Sequence, residues 1–389
     1  MMKASLPASA LLLIPCAAAA LAVTADWIRS AIPPPPGQTK QLGVARPFYG
    51  VSGGVFLLAG GSNFPDKPPA EGGARACRDE IYVRLPDGEW RALERRLPEG
   101  PVAEGISVTT TKGIVCVGGT DGWRDLDTAY IMIWDAAAGE ARFGRLPPLP
   151  KTIRMGVGAA WEDHVYIACG QQDGAAANGV WRLDLDDVQA GWIALPPVPG
   201  VAREQSIGAI AVRGPWRSAF HVFGGNGVEP DGRQAALLDG YYYDLNEGDS
   251  GAWKPAAPVK PKGSANPISV LGGTAIGVRS RILCIGGFDK EVWDEAVRSL
   301  RKLKGEALAA YRKEYLTRPV AAYRWNRRFL IYDADKDAWS SASEVPEARC
   351  GAAMALLPDG SILIASGEDK PGNRSPAAFV RQPESRRTR

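Results

Sequence analysis

A short apolar run that ends in a glycine pair, or in a close equivalent of one, recurs six times in this chain of 389 residues. The second glycine of each step stands at positions 61, 119, 170, 225, 287 and 367. Each step is followed by a loop, by a strand-like run with an aromatic residue such as Tyr82, and in most units by a run with Trp or Phe, such as Trp90. Self-similarity of this kind predicts an array of equivalent β-sheet units.

The order of glycine pair, aromatic strand and Trp strand is typical of a kelch blade, and six units predict an all-β, six-bladed kelch β-propeller over residues 26–382. The sixth unit lacks an outer strand. Residues 26–29, with the Pro-rich turn at 33–36, look like such a strand at the other end of the chain. We therefore expect the N-terminal strand to complete the last blade and close the ring, which removes two exposed sheet edges.

One segment departs from the repeat. Apolar residues between 290 and 317 recur at helical spacing among many charges, with a break expected at Gly305. This predicts a helical insertion over about residues 288–320, within the fifth blade. A lid, a dimer contact and a packed decoration all remain open as its role.

The first 25 residues have the pattern of a Sec signal peptide: Lys3, an apolar run over residues 11–22, and small residues up to Ala25. We expect cleavage near Ala25, a periplasmic or secreted protein, and no transmembrane span. Residues 383–389 form a short basic tail. The formal net charge of +3 is small for this length and gives no indication of nucleic-acid binding.

Few residues are available for metal or nucleophilic chemistry. The two histidines, His164 and His221, each begin an apolar strand and are interpreted as structural. No CxxC motif occurs, so a zinc site is not expected, and the five cysteines after residue 25 are an odd number for a full disulfide framework. Any catalysis must then depend on carboxylates and arginines.

Propellers bind ligands where loops from several blades converge on the axis. The loops after the glycine pairs and the segments that lead into the first strands open on one face, and they carry several polar side chains. The candidates for substrate binding among them are Arg154, Arg203, Arg349, Asn63 and Asn226. Arginines form forked hydrogen bonds with carboxylates, so this face suits an acidic small molecule.

The loop after the last glycine pair is the most distinctive local sequence. It runs Gly-Glu-Asp-Lys-Pro-Gly-Asn-Arg from position 367 to 374, and its Pro-Gly turn brings Glu368 and Arg374 to one side. The pair is either an acid/base group with an anion anchor or an ion pair that stabilises the turn.

This loop resembles that of the bacterial N-acetylneuraminate epimerases (sialic acid mutarotases), which are kelch propellers. The resemblance extends over nearly the whole mature chain in cyclically permuted order. The step Arg203-Glu204-Gln205 looks like the Arg-acid-Gln step of the family, and Gln205 is therefore a further candidate for substrate binding. It implies Glu368 and Arg374 as the catalytic pair, a sugar acid as the ligand, no cofactor, and a homodimer. Glu104 and the Ser375-Pro376 step depart from the family pattern.

The implied activity is the interconversion of α- and β-N-acetylneuraminate through the open keto form by Glu-based acid/base catalysis. Two alternatives remain. One is a non-catalytic kelch module that binds glycan or protein. The other is a sialidase-like hydrolase, although the repeated Ser-x-Asp-x-Gly-x-Thr-Trp boxes of sialidases do not occur in the sequence.

Overall fold

The computed structural model describes residues 27–214 and 217–383. The predicted signal peptide, its cleavage position and residues 384–389 of the basic tail lie outside these residues. No helix in the described ranges is long and apolar enough to cross a membrane.

The all-β class is confirmed. Within residues 27–214 and 217–383, six antiparallel sheets have four strands each, and we number them in chain order. In order along the chain, the strands of sheet 1 are Phe48–Ser52, Val55–Ala59, Glu80–Arg84 and Trp90–Arg96. Those of sheet 2 are Ile106–Thr110, Gly113–Val117, Ala129–Asp135 and Glu140–Leu146. Those of sheet 3 are Val157–Trp161, His164–Ala168, Val180–Asp184 and Ile193–Leu195.

Sheets 4 and 5 follow the same pattern, and sheet 6 combines both ends of the chain. The strands of sheet 4 are Ile207–Arg213, Arg217–Phe223, Gly240–Asp244 and Trp253–Ala256. Those of sheet 5 are Thr274–Val278, Arg281–Ile285, Arg328–Asp333 and Ala338–Glu344. Those of sheet 6 are Ala353–Leu356, Ile362–Ala365, Ala377–Arg381 and Trp27–Ala31. In sheet 6 the strand Trp27–Ala31 pairs with Ala377–Arg381, as the sequence predicts.

The first strand of each sheet contacts the first strand of the next sheet, and that of sheet 6 contacts that of sheet 1. Apolar clusters fill the spaces between successive sheets. For example, Leu57 and Ile81 of sheet 1 pack with Ile114 of sheet 2, and Leu283 of sheet 5 packs with Met354 of sheet 6. The core is therefore distributed between neighbouring sheets rather than gathered at one centre.

The glycine pairs recur because neighbouring backbones come very close there. A Cβ atom on Gly118 would lie 2.1 Å from the carbonyl oxygen of Ile153, and one on Gly286 would lie 2.0 Å from that of Arg349. Both glycines also have positive φ. A residue with a side chain would fit neither the space nor the backbone conformation.

The predicted insertion is present between the second and third strands of sheet 5. It consists of helices α1 (Lys290–Lys302) and α2 (Gly305–Thr317), followed by a 3-10 turn at Val320–Tyr323. Asp289 caps α1 by accepting a hydrogen bond from the backbone N–H of Val292, at 3.1 Å. The break predicted at Gly305 separates the two helices.

Short hairpins extend the loops that follow several glycine pairs. The described chain places them at Ser62–Asn63 with Ala76–Cys77, Gln171–Gln172 with Ala175–Ala176, Asn226–Val228 with Gln234–Ala236, and Glu368–Lys370 with Asn373–Arg374. Further 3-10 turns lie at Pro69–Glu71, Val188–Ala190 and Leu245–Ser250. The hairpins hold the polar loop residues on ordered backbone.

Candidate functional site

A ring of backbone hydrogen bonds defines one end of the molecule's axis. The residue two positions before the first strand of each sheet donates its N–H to the carbonyl of the equivalent residue in the preceding sheet, at 2.7–3.0 Å, and the series closes on itself. Within the described ranges this axial ring consists of Arg46, Glu104, Met155, Gln205, Gly272 and Gly351, and all six have positive φ.

An axial cavity of about 510 Å³ runs between the first strands of the sheets. Ring residues such as Arg46, Glu104 and Gln205 lie at one end, and Trp161 and Arg279 lie further along it. Glu368 and Arg374 do not line this cavity. The candidate site is therefore at the ring end of the axis, outside this cavity.

Glu368 and Arg374 occupy the hairpin next to the ring. The backbone of Glu368 exchanges hydrogen bonds of 2.9 and 3.0 Å with Cys350, which precedes ring residue Gly351. The two side chains form an ion pair and are only 14% and 9% exposed. The Glu368 carboxylate also accepts a hydrogen bond from the N–H of Gly372, at 3.2 Å, so the Pro-Gly turn fixes its orientation. The structure therefore brings the predicted pair together.

Arg374 also connects the hairpin to sheet 1. Its Nε donates to the carbonyl of Ser62 at 3.1 Å, and its guanidinium lies 5.2 Å from the ring centroid of Phe64. Nearby, Asn63 is buried and donates to the carbonyl of Gly43 at 3.1 Å. Asn63 therefore supports the backbone beside the pair.

The helical insertion covers the same hairpin. Lys370 donates to the carbonyl of Arg318, at 3.2 Å, and α2 continues across to contact the turn Pro69–Glu71 after sheet 1. Burial, with a smaller contribution from the charge of Glu368, raises the pKa of Tyr315 of α2, and its ring packs edge-on against Tyr323, with centroids 5.4 Å apart. The insertion thus crosses from sheet 5 over the Glu368 hairpin to sheet 1.

A second ionic cluster centres on ring residue Glu104, which is 5% exposed. Its carboxylate pairs with Arg75 and, at 2.6 Å, with Arg154, and Arg154 also reaches Asp125 at 2.9 Å. Burial favours the neutral acid, but Arg75, Arg46 and Arg154 together outweigh it and lower the pKa of Glu104. Glu104 is thus held as a carboxylate between arginines.

Arg46 reaches across the ring to Gln205. Its Nη2 donates to the Gln205 side-chain oxygen at 2.5 Å. On the Gln205 side, Asn226 donates to the carboxylate of Glu204 at 3.4 Å and accepts from Gln234 at 2.9 Å. The other carboxylate oxygen of Glu204 is buried and has no hydrogen-bond partner in the described structure. The predicted residues Gln205 and Asn226 therefore lie beside the axis.

Arg203 and Arg349, two of the residues predicted to bind substrate, are both buried and have polar partners within the chain, and their role in binding stays a prediction. Arg203 is fully buried and forms a forked pair with Asp239, with both distances 2.8 Å. Arg349 is 1% exposed and donates to Glu347 and Ser375, and burial lowers its pKa. Both stand two residues before their ring residue, where the other sheets place apolar residues that pack between sheets.

Sequence reasoning missed Arg46 and Arg75. A sequence signal for Arg46 exists: it stands at the same distance before its first strand as Glu104 and Gln205 do. Arg75 lies in a loop of sheet 1 and is 34% exposed, and only the folded structure brings it to Glu104.

The histidines occupy structural positions, as predicted. His221 is fully buried among aromatic rings, and burial lowers its pKa to about 4. His164 pairs with Asp184 at 3.6 Å. Among the described residues, no group of three His, Cys, Asp or Glu side chains is arranged to hold a metal ion, and the five cysteines present are unpaired.

Fold and site together define a class: an all-β protein of sheets in a ring, with paired arginines and carboxylates at one end of the axis. Residues 146–387, more than half of the chain, match the family model described as N-acetylneuraminate epimerase. The chain belongs to this family.

Curated relatives agree with the family match. A protein of Yersinia enterocolitica named N-acetylneuraminate epimerase is 30% identical over 240 residues, which is 60% of this chain and 57% of that protein. One of Brucella melitensis with the same name is 31% identical over the same shares. A Kelch domain-containing protein of Vibrio cholerae is 28% identical over 242 residues, 60% of this chain and 62% of that protein. The chain thus spans less than two thirds of these relatives.

The solved structure entitled "Structure of YjhT" is similar in fold. It aligns with a TM-score of 0.59 at 14% identity and covers 92% of this chain and 98% of that one. At this identity the likeness concerns the fold alone.

Proposed function

We propose that this protein is a mutarotase that interconverts the α and β anomers of N-acetylneuraminate through the open keto form. The observation that carries the proposal is the ion pair of Glu368 and Arg374 in a fixed, largely buried hairpin beside the axial ring. Family membership supports the sugar acid as substrate.

In the proposed reaction Glu368 accepts the proton of the C2 hydroxyl while the bond from C2 to the ring oxygen breaks. The electrons of that bond move to the ring oxygen, Glu368 delivers the same proton to it, and C2 becomes a ketone. Rotation about the bond between C2 and C3 presents the other carbonyl face, and the steps reverse with Glu368 returning the proton. Arg374 orients Glu368 and stabilises negative charge on the oxygen during the transfer. The chemistry is redox-neutral and requires no cofactor.

We further propose that the six sheets are the blades of a closed kelch propeller and that the chain is a cyclically permuted family member. The contact of sheet 6 with sheet 1, the closed axial ring and the start of the family match at residue 146 support this. Export through a signal peptide at residues 1–25 and a homodimer remain predictions from the sequence.

Proton NMR tests the activity. Freshly released α-N-acetylneuraminate is mixed with the protein, and the approach to anomeric equilibrium is followed. We expect wild type to accelerate it and Glu368→Gln to lose about 10²-fold or more of that rate, as for removal of a general base. Glu94→Gln, an exposed carboxylate in sheet 1, is the matched control and should keep the wild-type rate. Exchange by wild type no faster than in buffer would refute the proposal.

A further inference from the structure

The arginines at the ring end of the axis differ in the partners that their guanidinium groups have. Among the described residues there, Arg75 and Arg154 pair with Glu104, Arg154 also pairs with Asp125, and Arg374 pairs with Glu368. No carboxylate oxygen of the described chain forms an ion pair with the guanidinium of Arg46. Its side-chain hydrogen bond goes to an amide oxygen, that of Gln205.

Arg75 and Arg154 thus have carboxylate partners at ion-pair distance, whereas Arg46 has none, although its charge helps to lower the pKa of Glu104. A half-buried guanidinium with an amide as its partner retains donors in the fork geometry that binds carboxylates.

Arg46 is also close to the hairpin that carries Glu368. The N–H of Arg46 donates to the carbonyl of Gly351 at 2.7 Å, and a Cβ on Gly351 would lie 3.1 Å from Cγ of Arg46. The side chain therefore passes directly over Gly351. The backbone of the preceding residue, Cys350, pairs with that of Glu368. Burial raises the pKa of the Cys350 thiol, and among the smaller causes the charge of Glu368 raises it and that of Arg46 lowers it.

We infer that Arg46 binds the carboxylate of the sugar acid at the axis, with Gln205 as the residue that positions it. This inference rests on the proposed function, because it takes the substrate from it. In N-acetylneuraminate the carboxylate is attached to C2, the carbon whose hydroxyl group reacts. A carboxylate held by Arg46 would therefore bring the reacting carbon to the side of the ring where Glu368 lies.

The test measures binding rather than turnover. Isothermal titration is carried out with the α-methyl ketoside of N-acetylneuraminate, which cannot open its ring, and with the C1 methyl ester of that ketoside. The proteins are wild type, Arg46→Gln, Arg46→Lys and Arg279→Gln. Arg279 is an exposed arginine that lines the axial cavity and also has positive φ, so its variant is a matched control. Circular dichroism confirms that each variant is folded.

We expect Arg46→Gln to weaken binding of the free acid about 10-fold or more, as for loss of a hydrogen bond to a charged group. Arg46→Lys should recover part of the affinity, and Arg279→Gln should bind as wild type. The ester should bind weakly and equally to wild type and Arg46→Gln, because it has no carboxylate.

The outcomes separate the two proposals. Equal affinity of wild type and Arg46→Gln for the free acid would overturn the role of Arg46, whatever the mutarotase assay gives. Binding of the free acid that depends on Arg46, with no acceleration of anomer exchange, would overturn the catalytic proposal and retain the carboxylate site. If wild type binds neither compound, both proposals fail.

Discussion

At the scale of single residues, Glu104 is a carboxylate that forms ion pairs with two arginines. It is nearly buried and lies between Arg75 and Arg154. We expect Glu104→Gln to lower the free energy of unfolding at pH 7 by about 3 kcal/mol, because removal of one partner leaves buried charge uncompensated. Urea denaturation measures this. Exposed Glu94→Gln is the control, and a loss within the error of that control would contradict the prediction.

The pH dependence of this effect has a definite sign. The pKa of Glu104 is lowered in the folded state from the ordinary value of 4.5, so the folded state favours the carboxylate. The stabilisation is therefore complete above that value and is lost as the pH falls through the lower, folded pKa. The difference in unfolding free energy between wild type and Glu104→Gln should shrink as the pH is lowered below about 4.5.

The residue scale also shows how far the sequence predicts the site. The Glu368–Arg374 pair was predictable, because both members lie in one short turn whose Pro-Gly step fixes their geometry. Arg203 and Arg349 are buried because they stand two residues before their ring residues, where the other sheets place apolar residues, and their role in binding stays a prediction. Sequence composition does not distinguish these positions, whereas the spacing before the strand does, and that spacing singles out Arg46.

At the scale of elements, the repeat predicted the sheets because glycine pairs are required wherever the backbones of neighbouring sheets approach closely. The insertion was predicted as helical, but its direction was not, since helical periodicity says nothing about which neighbour the helices cross. Contacts of Lys370 with Arg318 and of α2 with the turn Pro69–Glu71 show that it covers the Glu368 hairpin. The lid, the dimer contact and the packed decoration are all compatible with these contacts, and the role of the insertion stays a prediction.

Tyr315 is the residue through which this cover should act on the hairpin. We expect Tyr315→Ala to accelerate hydrogen exchange of the backbone amides of Gly372 and Ser375, because the lost ring leaves a cavity in the cluster with Cys350, whose backbone pairs with Glu368. Lys313→Ala, at an exposed position of α2, is the control and should leave these amides unchanged. Mass spectrometry measures the hydrogen exchange of these amides. Unchanged protection in Tyr315→Ala would show that the insertion does not stabilise the hairpin.

At the scale of the whole molecule, sheet 6 combines strands from the two ends of the chain. The strand Trp27–Ala31 is held in sheet 6 by its pairing with Ala377–Arg381 and by Trp27, which is 3% exposed. The Trp27 ring packs edge-on against Phe329 of sheet 5, with centroids 6.0 Å apart. Ile28, the next residue of the same strand, is 55% exposed. The two side chains therefore share one backbone context and differ mainly in burial.

Substitutions at Trp27 and Ile28 test the pairing of the two chain ends without deleting the strand. Trp27→Ala should lower the free energy of unfolding by about 3–5 kcal/mol, the range for loss of a buried aromatic side chain. Ile28→Ala should change it by no more than about 0.5 kcal/mol, as for an exposed position. If the strand Trp27–Ala31 is loosened, Ala377–Arg381 becomes an open sheet edge. Trp27→Ala should therefore also aggregate on heating at a lower temperature than Ile28→Ala. Equal stability of the two variants in urea would mean that the Trp27 side chain does not hold the two ends of the chain together.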